Sequence, residues 1–519
     1  MTATAAGPLR TRSMLALLLS GAAIWLSATG AFGIETMPID RRGKEIYMYG
    51  RSASRKITAT LDGGTSRVAA AAMPCASCHG NDGRGRPEGG ATPSDITFQS
   101  LRRAYRVTTA SGRVHGPYDD RTLRRAIELG VDSSGNRLDS LMPRYSIASN
   151  DLRALLAYMK RLGSELDPGL SETRIRLGVV LPPHETMPEA SAETRAVVSA
   201  WFEDVNRRGG IFGRQIDLSF VDPAGSAGER AAAVRTFAER GTPFAFVSSF
   251  SEGAERELSD VAEQERIPFL ATITSNPRSS VAPVPYVREL FAGLAEQSRA
   301  LVRMAGPEAG KSRKIAIVAR GGSMADTRNA VVQECRDSGY ELVEIVDRDA
   351  VDFAKLRRLG VDTVLILEAD ALPKLLRDLE TPGWAPIVLA PASLTDPSIL
   401  AGAPVRSFVS FPTLPIDYTE ASIATHERLA REHHAGMTHR ATQAAALASA
   451  ALVTDALTRA GRNLSRDSLL ATIDATGGFR SGFGPPLTFR PDRHLGSTGC
   501  YIIAFEPGKP PKSVWLDVE

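Results

Sequence analysis

Leu152, Leu155, Leu156, Met159 and Leu162 fall at steps of three and four, the spacing of one helical face. With Ser149 or Asn150 placed to cap it, the pattern predicts a helix over 151–162. Residues 120–129 (DRTLRRAIEL) repeat it, with Leu123, Ala126 and Ile127 on one face and Gly130 as the stop. Residues 42–50 read as an opening helix. From Arg174 the pattern changes. Short unbroken apolar runs at 175–181, 216–221, 244–247, 268–270, 314–318 and 363–367 read as buried strands. Helical stretches separate them, among them 193–207, which stops at Arg208-Gly209-Gly210. Strands alternating with helices predict parallel sheets joined by right-handed crossovers.

These patterns divide the chain. Residues 40–162 form a small helical region. Residues 163–173 (GSELDPGLSET), with Gly, Pro and acids and little apolar content, form a linker. Residues 174–507 form an α/β region, and 508–519 a C-terminal tail. Ahead of them, Arg10 and Arg12 precede the apolar core 14–26 (MLALLLSGAAIWL), and Ala31-Phe32-Gly33 offers small residues for cleavage. Residues 1–33 therefore read as a signal peptide for export to the periplasm. The uncharged stretch runs on to Ile34, about 20 residues, which also suits an uncleaved N-terminal membrane anchor. No cysteine adjoins the core, against a lipoprotein, and no adjacent arginine pair marks a twin-arginine signal.

A length of 519 residues calls for two or three domains, and 43% hydrophobic with 23% charged residues is ordinary for globular protein. The formal charge of +3 falls to +1 without residues 1–33, which hold two arginines and no acid. No clustered basic excess marks a nucleic-acid partner, and Arg102-Arg103 and Arg124-Arg125 read as solvated helix faces.

Cys75-Ala76-Ser77-Cys78-His79 is the C-x-x-C-H spacing of covalent haem attachment. Two thiols so spaced form thioethers to the two vinyl groups of one porphyrin, and the next histidine is the proximal iron ligand. A zinc site would need a second close pair, but Cys335 and Cys500, the remaining two of four cysteines, stand alone. The expectation is one covalent haem c on Cys75 and Cys78, with His79 on the iron. The second axial ligand is sought in a later loop. Met142, stiffened by Pro143 in the stretch 141–145 between two helices, is the candidate. Met159 reads as core, and His115, the rival candidate for the iron, reads rather as an exposed loop residue. The opening helix, the Cys75–His79 motif, the Met142-Pro143 loop and the closing helix together resemble class I cytochromes c over residues 42–162. That resemblance implies Met142 as the distal ligand. The sequence departs from it in residues 51–74, a longer stretch than usual between opening helix and motif. A His/Met pair fills both axial positions and raises the potential, implying electron transfer to a periplasmic redox partner protein rather than catalysis.

Asn206-Arg207-Arg208-Gly209-Gly210-Ile211-Phe212-Gly213-Arg214-Gln215-Ile216 carries a second resemblance. It is similar to the N-x-x-G-G-I-x-G-R-x-I segment of type 1 periplasmic solute-binding proteins, the branched-chain amino-acid receptors of ABC transporters. Asp352-Phe353, Phe483-Gly484 and Leu487-Thr488-Phe489 support it. The resemblance implies two α/β lobes around a cleft, a small-molecule ligand and an ABC permease as candidate partner. It also implies that hydroxyls after two strands, Ser248, Ser249 and Ser251 with Thr272, Thr274 and Ser275, hold a ligand carboxylate. The second lobe departs from the amino-acid receptors. Ala390-Pro391-Ala392-Ser393 stands where they carry an acid. Either Glu368 or Asp370 substitutes, or the ligand is no α-amino acid. No G-x-S-x-G, H-E-x-x-H or phosphate loop occurs, so no enzyme is expected. His433, His434 and His439 read as a solvated helix end rather than a metal site. The resemblance also implies that Cys335 and Cys500 both fall in the second lobe, their pairing open. The function expected is a periplasmic monohaem electron carrier fused to a solute-binding module. The alternatives are an ABC receptor for a non-amino-acid solute and a docking subunit for a periplasmic dehydrogenase.

Overall fold

The computed structural model describes residues 39–519 apart from 53–54, 62–65, 86–92, 110, 164–165, 281–282, 309–311, 320–324, 347–350, 369–370, 380–382 and 395. The expected signal peptide and Asp370 lie outside the described residues. The chain forms two compact units that divide after Ser164.

The first unit runs α1 (Ile39–Tyr49), β1 (Thr58–Thr60), β2 (Val68–Ala69), α2 (Cys75–His79), α3 (Phe98–Leu101), β3 (Val107–Thr108), β4 (Val114–His115), α4 (Asp120–Leu129), β5 (Arg144–Ser146) and α5 (Ser149–Met159). Helices α1 and α5 pack together. A Cβ on Gly43 would land on the Ala154 carbonyl oxygen, so the two backbones meet where only glycine fits. Tyr47 packs on Tyr158 with ring centroids 5.5 Å apart. The predicted face of α4 is buried, and Gly130 ends that helix at φ 65°. The cap expected on α5 is not made: Ala148 precedes it without a side-chain bond. Instead the fully buried Asp151 pairs with Arg42 at 3.0 Å and accepts from Ser52 Oγ at 2.8 Å, tying the start of α5 to α1. Small sheets join the expected helices: antiparallel β2-β1-β5, and the β3-β4 pair. Residues 51–74 supply β1 and β2, and Ala59 pairs with Tyr145 just beyond the Met142-Pro143 loop.

The second unit is bilobal. Its first lobe begins β6 (Arg174–Val180), α6 (Pro188–Arg207), β7 (Gln215–Val221), α7 (Ala227–Gly241), β8 (Ala245–Val247), α8 (Glu255–Glu265), β9 (Phe269–Thr272) and β10 (Val287–Glu289), a parallel sheet ordered β10-β9-β8-β6-β7. The chain then enters the second lobe through α9 (Leu294–Ala305), β11 (Lys314–Val318), α10 (Ala325–Asp337), β12 (Glu341–Val346), α11 (Phe353–Arg358), β13 (Thr363–Ile366), α12 (Leu372–Leu379), β14 (Ile387–Pro391), α13 (Pro397–Ala401) and β15 (Ser407–Phe411). It returns to the first lobe for α14 (Glu420–Glu432), α15 (Arg440–Ala460) and α16 (Arg466–Asp474), which pack with α6 in one core. It ends in the second lobe as β16 (Gly499–Phe505) and β17 (Lys512–Asp517), antiparallel additions to the sheet β12-β11-β13-β14-β15-β16-β17. The segment read as a tail is thus an edge strand. Residues 166–171 pack on the first lobe: Asp167 accepts from Arg466 N at 2.6 Å, and Leu170 bridges Ile175. Asn206 explains its motif, exchanging bonds of 2.8 and 2.7 Å with the Ile216 backbone to join α6 to β7. Among the described residues no helix is long and apolar enough to cross a membrane.

Candidate functional site

Helix α2 is five residues long and carries Cys75 and Cys78 three apart, which puts both thiols on one side. His79 ends it. Gly80 then turns the chain at φ 74°, and its carbonyl accepts from Tyr47 Oη at 2.7 Å, anchoring the motif to α1. His79 is buried, with Nδ1 3.0 Å from the Ser94 carbonyl oxygen. A proton on Nδ1 satisfies that carbonyl and leaves Nε2 with its lone pair, the arrangement of a metal-ligating histidine. Burial pushes the imidazole below its usual range, toward the neutral form a metal takes. Cys78 is exposed and Cys75 half-buried, and burial pushes the Cys75 thiol up to about 12.

All three side chains line a cavity of about 430 Å³. Tyr47, Leu101, Leu123, Ile127 and Met159 give it apolar wall; Ser94, Arg113, His115 and Asp139 give it polar wall. Two thiols, one free imidazole nitrogen and apolar surroundings fit a tethered porphyrin. Met142 and Pro143 line the same cavity. Met142 N donates to Asp139 O at 3.1 Å, and Arg144 Nη1 donates to Met142 O, so the loop is braced from both sides. Strand β5 follows directly, and Tyr145 Oη donates to Met73 O at 2.6 Å, two residues before Cys75. The long stretch 51–74 thus braces the methionine loop. Met159 is buried core, as its helical position predicts. His115 corrects the sequence reading: it is 7% exposed, lines the cavity, and holds Nδ1 2.8 Å from Gly116 O. Arg113 and its buried partner Asp132 were also missed, although Asp132-x-Ser134-x-Asn136 has the look of a side-chain-bonded turn.

The hydroxyls proposed for the interlobe cleft lie after β8 and β9, at the C-terminal edge of the first-lobe sheet. Ser248 Oγ donates to Ala446 O at 2.8 Å, fastening β8 to α15. Ser249 Oγ donates to Val247 O at 3.1 Å and accepts from Val180 N at 3.0 Å. Thr272 Oγ1 donates to Arg288 O at 3.4 Å. Ser251 is buried, with its N bonded to Ile273 O. Thr274 and Ser275 sit beside the crossing to the second lobe, since Leu294 N donates to Ser275 O at 2.7 Å. Both meet the protein's own carboxylates. Thr274 Oγ1 lies 2.6 Å from Glu255 Oε1; Ser275 Oγ and N lie 2.5 and 2.7 Å from Glu252. Burial raises the Glu255 carboxyl. At the same crossing Glu289, 2% exposed, accepts from Arg278 N and Ser279 N at 2.7 Å each, and burial pushes its carboxyl up to about 7. In the second lobe Ser393 Oγ lies 3.5 Å from Gln297 Nε2, and Glu368 follows β13. His433 and His439 face Glu203 and Glu189 at 3.2 and 3.9 Å, and no metal-ligating group of three occurs among the described residues. Cys335 and Cys500 are free, buried in one second-lobe core, with thiols pushed up to about 12 by burial.

Residues 174–509 match the family model described as periplasmic binding protein, and residues 67–163 match that described as cytochrome c. No curated protein matches the chain. Among solved structures, a fatty acid ABC transporter substrate-binding protein from Thermomonospora curvata is 18% identical, with TM-score 0.52, over 68% of this chain and 94% of that one. A branched chain amino acid ABC transporter protein from Thermus thermophilus with bound valine is 17% identical, with TM-score 0.53, over 67% and 98%. A protein from Rhodopirellula baltica SH 1, titled a possible leucine/isoleucine/valine-binding protein, is 17% identical, with TM-score 0.51, over 66% and 96%. At these identities the likeness shows fold alone.

Proposed function

The chain belongs to the periplasmic binding protein family, with a cytochrome c domain ahead of that family's two lobes, and on that premise we propose a monohaem electron carrier joined to a small-molecule receptor. The observation that carries the haem half is His79, held by Ser94 with Nε2 free, on the wall of a cavity shared with Cys75, Cys78 and Met142. In this reading Cys75 and Cys78 hold one haem c covalently, and His79 and Met142 are its axial ligands. The haem supplies a one-electron couple. The chain's residues orient the proximal imidazole, brace the methionine loop and keep water from the apolar wall. The reading assigns no catalysis. It includes export by residues 1–33, a periplasmic redox partner, and two domains that divide after Ser164, the second running through β17.

For the receptor half, one observation favours a solute other than an α-amino acid. Glu252 already occupies the Ser275 hydroxyl and N–H, so a ligand carboxylate arriving there would meet like charge. Of the first-lobe hydroxyls, Thr274 and Ser275, nearest the crossing, remain the proposed ligand contacts, while those of Ser249 and Thr272 are taken by main-chain carbonyls and Ser251 is buried. An ABC permease is the partner such a receptor would serve.

The haem half is tested on protein made with a haem-maturation system. It should keep haem through denaturing electrophoresis, and Cys75→Ala with Cys78→Ala should lose all of it. Covalent haem retained by that double variant would overturn the assignment. Thermal shift across carboxylates, amines, alcohols and aromatics tests the receptor half, since a ligand stabilises by mass action.

A further inference from the structure

The chain first passes between the lobes of the second unit along residues 290–293, from β10 to α9, and makes its last passage along 495–498, into β16. The two passages are paired. Glu289 N donates to His494 O at 2.9 Å, Gly496 N to Glu289 O at 2.9 Å, and Ser497 N to Leu290 O at 3.1 Å. The first passage also joins the end of β9 and its loop: Leu290 N donates to Thr272 O at 3.0 Å and Leu294 N to Ser275 O at 2.7 Å. A Cβ on Gly293 would strike Pro277, so loop and passage meet in close contact.

Glu289 stands where these three segments meet, and it is 2% exposed. Its Oε1 accepts from Arg278 N and its Oε2 from Ser279 N, at 2.7 Å each. Among the described residues no cation balances it. Arg278 gives it a backbone N–H, and Nε of that side chain is buried without a partner. Arg288, beside it on β10, is taken by Asp474 of α16 at 2.5 and 2.8 Å and lies 3.2 Å from His494 Nδ1. Burial, and then Arg288, hold the His494 imidazole below its usual range, in the neutral form. Glu296 of α9, 4% exposed, accepts from Gly293 N at 2.9 Å and adds like charge. Glu252 and Glu255 meet the same loop at Ser275 and Thr274.

Two N–H groups thus stand in for the water a carboxylate would otherwise have. The dry arrangement favours the proton, and any arrangement of the passages that lets water in favours the charge. Burial, worsened by Glu296 and eased by the bonds from Ser279 and Arg278, puts this carboxyl at about 7 against an ordinary 4.5. By linkage, opening the passages to water becomes easier as pH rises between those two values, and no easier above them.

We propose that Glu289 is a proton-operated lock on the hinge between the lobes. Protonated, it keeps the passages dry and stiff. Ionised, it draws water in and frees them, together with the loop that carries Thr274 and Ser275. The lock rests on the receptor reading for its use, since crossing segments are what bend when two lobes close on a solute. Its test needs no solute.

The test follows hydrogen exchange of the full-length chain across about pH 5 to 8, with the intrinsic pH dependence of exchange divided out. The opening constant at the amides of Arg278, Ser279, Glu289 and Gly496 should rise by up to about tenfold per pH unit and level off near 7. Glu289→Gln keeps the shape but cannot ionise, and should make the constant flat with pH. Glu296→Gln removes the neighbouring charge and should move the levelling point to lower pH. A constant that is flat in wild type, or a rise that survives in Glu289→Gln, would overturn the lock. A solute screen that shifts no melting transition tells against the receptor reading alone, and the exchange profile still decides whether Glu289 governs the passages.

Discussion

The cavity of the first unit and the cleft edge of the second treat their polar groups in opposite ways. On the cavity wall Asp95 and Asp139 bond their own loops, but two side chains are held from behind: His79 at Nδ1 by the Ser94 carbonyl, with no bond at Nε2 among the described residues, and Arg113 by Asp132. At the cleft edge the hydroxyls face inward. Ser248, Ser249 and Thr272 bond main-chain carbonyls, and Ser275 bonds Glu252. Side chains pre-positioned with a vacant donor or acceptor point to a guest, whereas side chains already satisfied point to a scaffold. A motif can therefore identify a fold in the second unit without identifying its ligand.

The largest effect expected in testing that contrast is at Met142. Met142→Ala should abolish the near-infrared charge-transfer band of thioether-ligated ferric haem and open the iron to added ligand. If His115→Ala does so and Met142→Ala does not, the buried histidine is the ligand. Next comes Gly43→Ala, whose new Cβ would strike the Ala154 carbonyl. It should destabilise the first unit by roughly 3 kcal/mol or more while leaving the second unit's melting transition in place. Equal losses in both transitions would contradict two independent cores.

Glu289 carries a pH signature in the second unit. Its folded-state carboxyl sits at about 7, above the ordinary 4.5. The folded form thus holds its proton longer than the unfolded chain. Its contribution is most favourable below pH 4.5, falls as pH rises toward 7, and is level above that. The span is on the order of 3 kcal/mol, and Glu289→Gln should flatten the fall of the second unit's melting temperature across it. A variant with the wild-type slope would place the titration elsewhere. The smallest effect is at Ser249. Ser249→Ala should cost about 1–2 kcal/mol of stability through the lost buried bonds and leave solute-induced thermal shifts intact. Loss of the shift at unchanged stability would make Ser249 a ligand contact and break the contrast drawn here.

Much of this was legible in the sequence where one local rule sufficed. Helix α4 begins and ends as its cap and Gly130 require, and β11 matches the run 314–318. Helix α6 starts at Pro188, earlier than its apolar spacing shows, because proline suits the first turn and the starting residues include polar ones. Strands β10, β12, β14, β15, β16 and β17 are not among the six runs read as strands. Of these, β12 and β17 are the edges of their sheet, where charged or polar residues interrupt the apolar runs, whereas β14, β15 and β16 lie inside it. The Cys75–His79 motif prescribes its geometry by spacing alone. The burial of His115 and the Arg113–Asp132 pair depend instead on a turn closing over a distant hairpin, which no local pattern encodes. The cleft hydroxyls follow the right strands, but only coordinates reveal that Glu252 meets Ser275.

The sheet β2-β1-β5 has a consequence for speed as well as for shape. It links the stretch just before Cys75 to the stretch just after Met142, and Tyr145 Oη on Met73 O repeats that link in side chains. Both segments that would hold the iron are thereby part of one hydrogen-bonded frame. When an iron changes oxidation state, its ligands and their surroundings must relax, and that nuclear adjustment sets much of the barrier to electron exchange. A methionine loop restrained on both sides has little room to adjust. The extra residues between the opening helix and the haem motif would then lower the reorganisation energy, favouring rapid exchange even with a partner of similar potential.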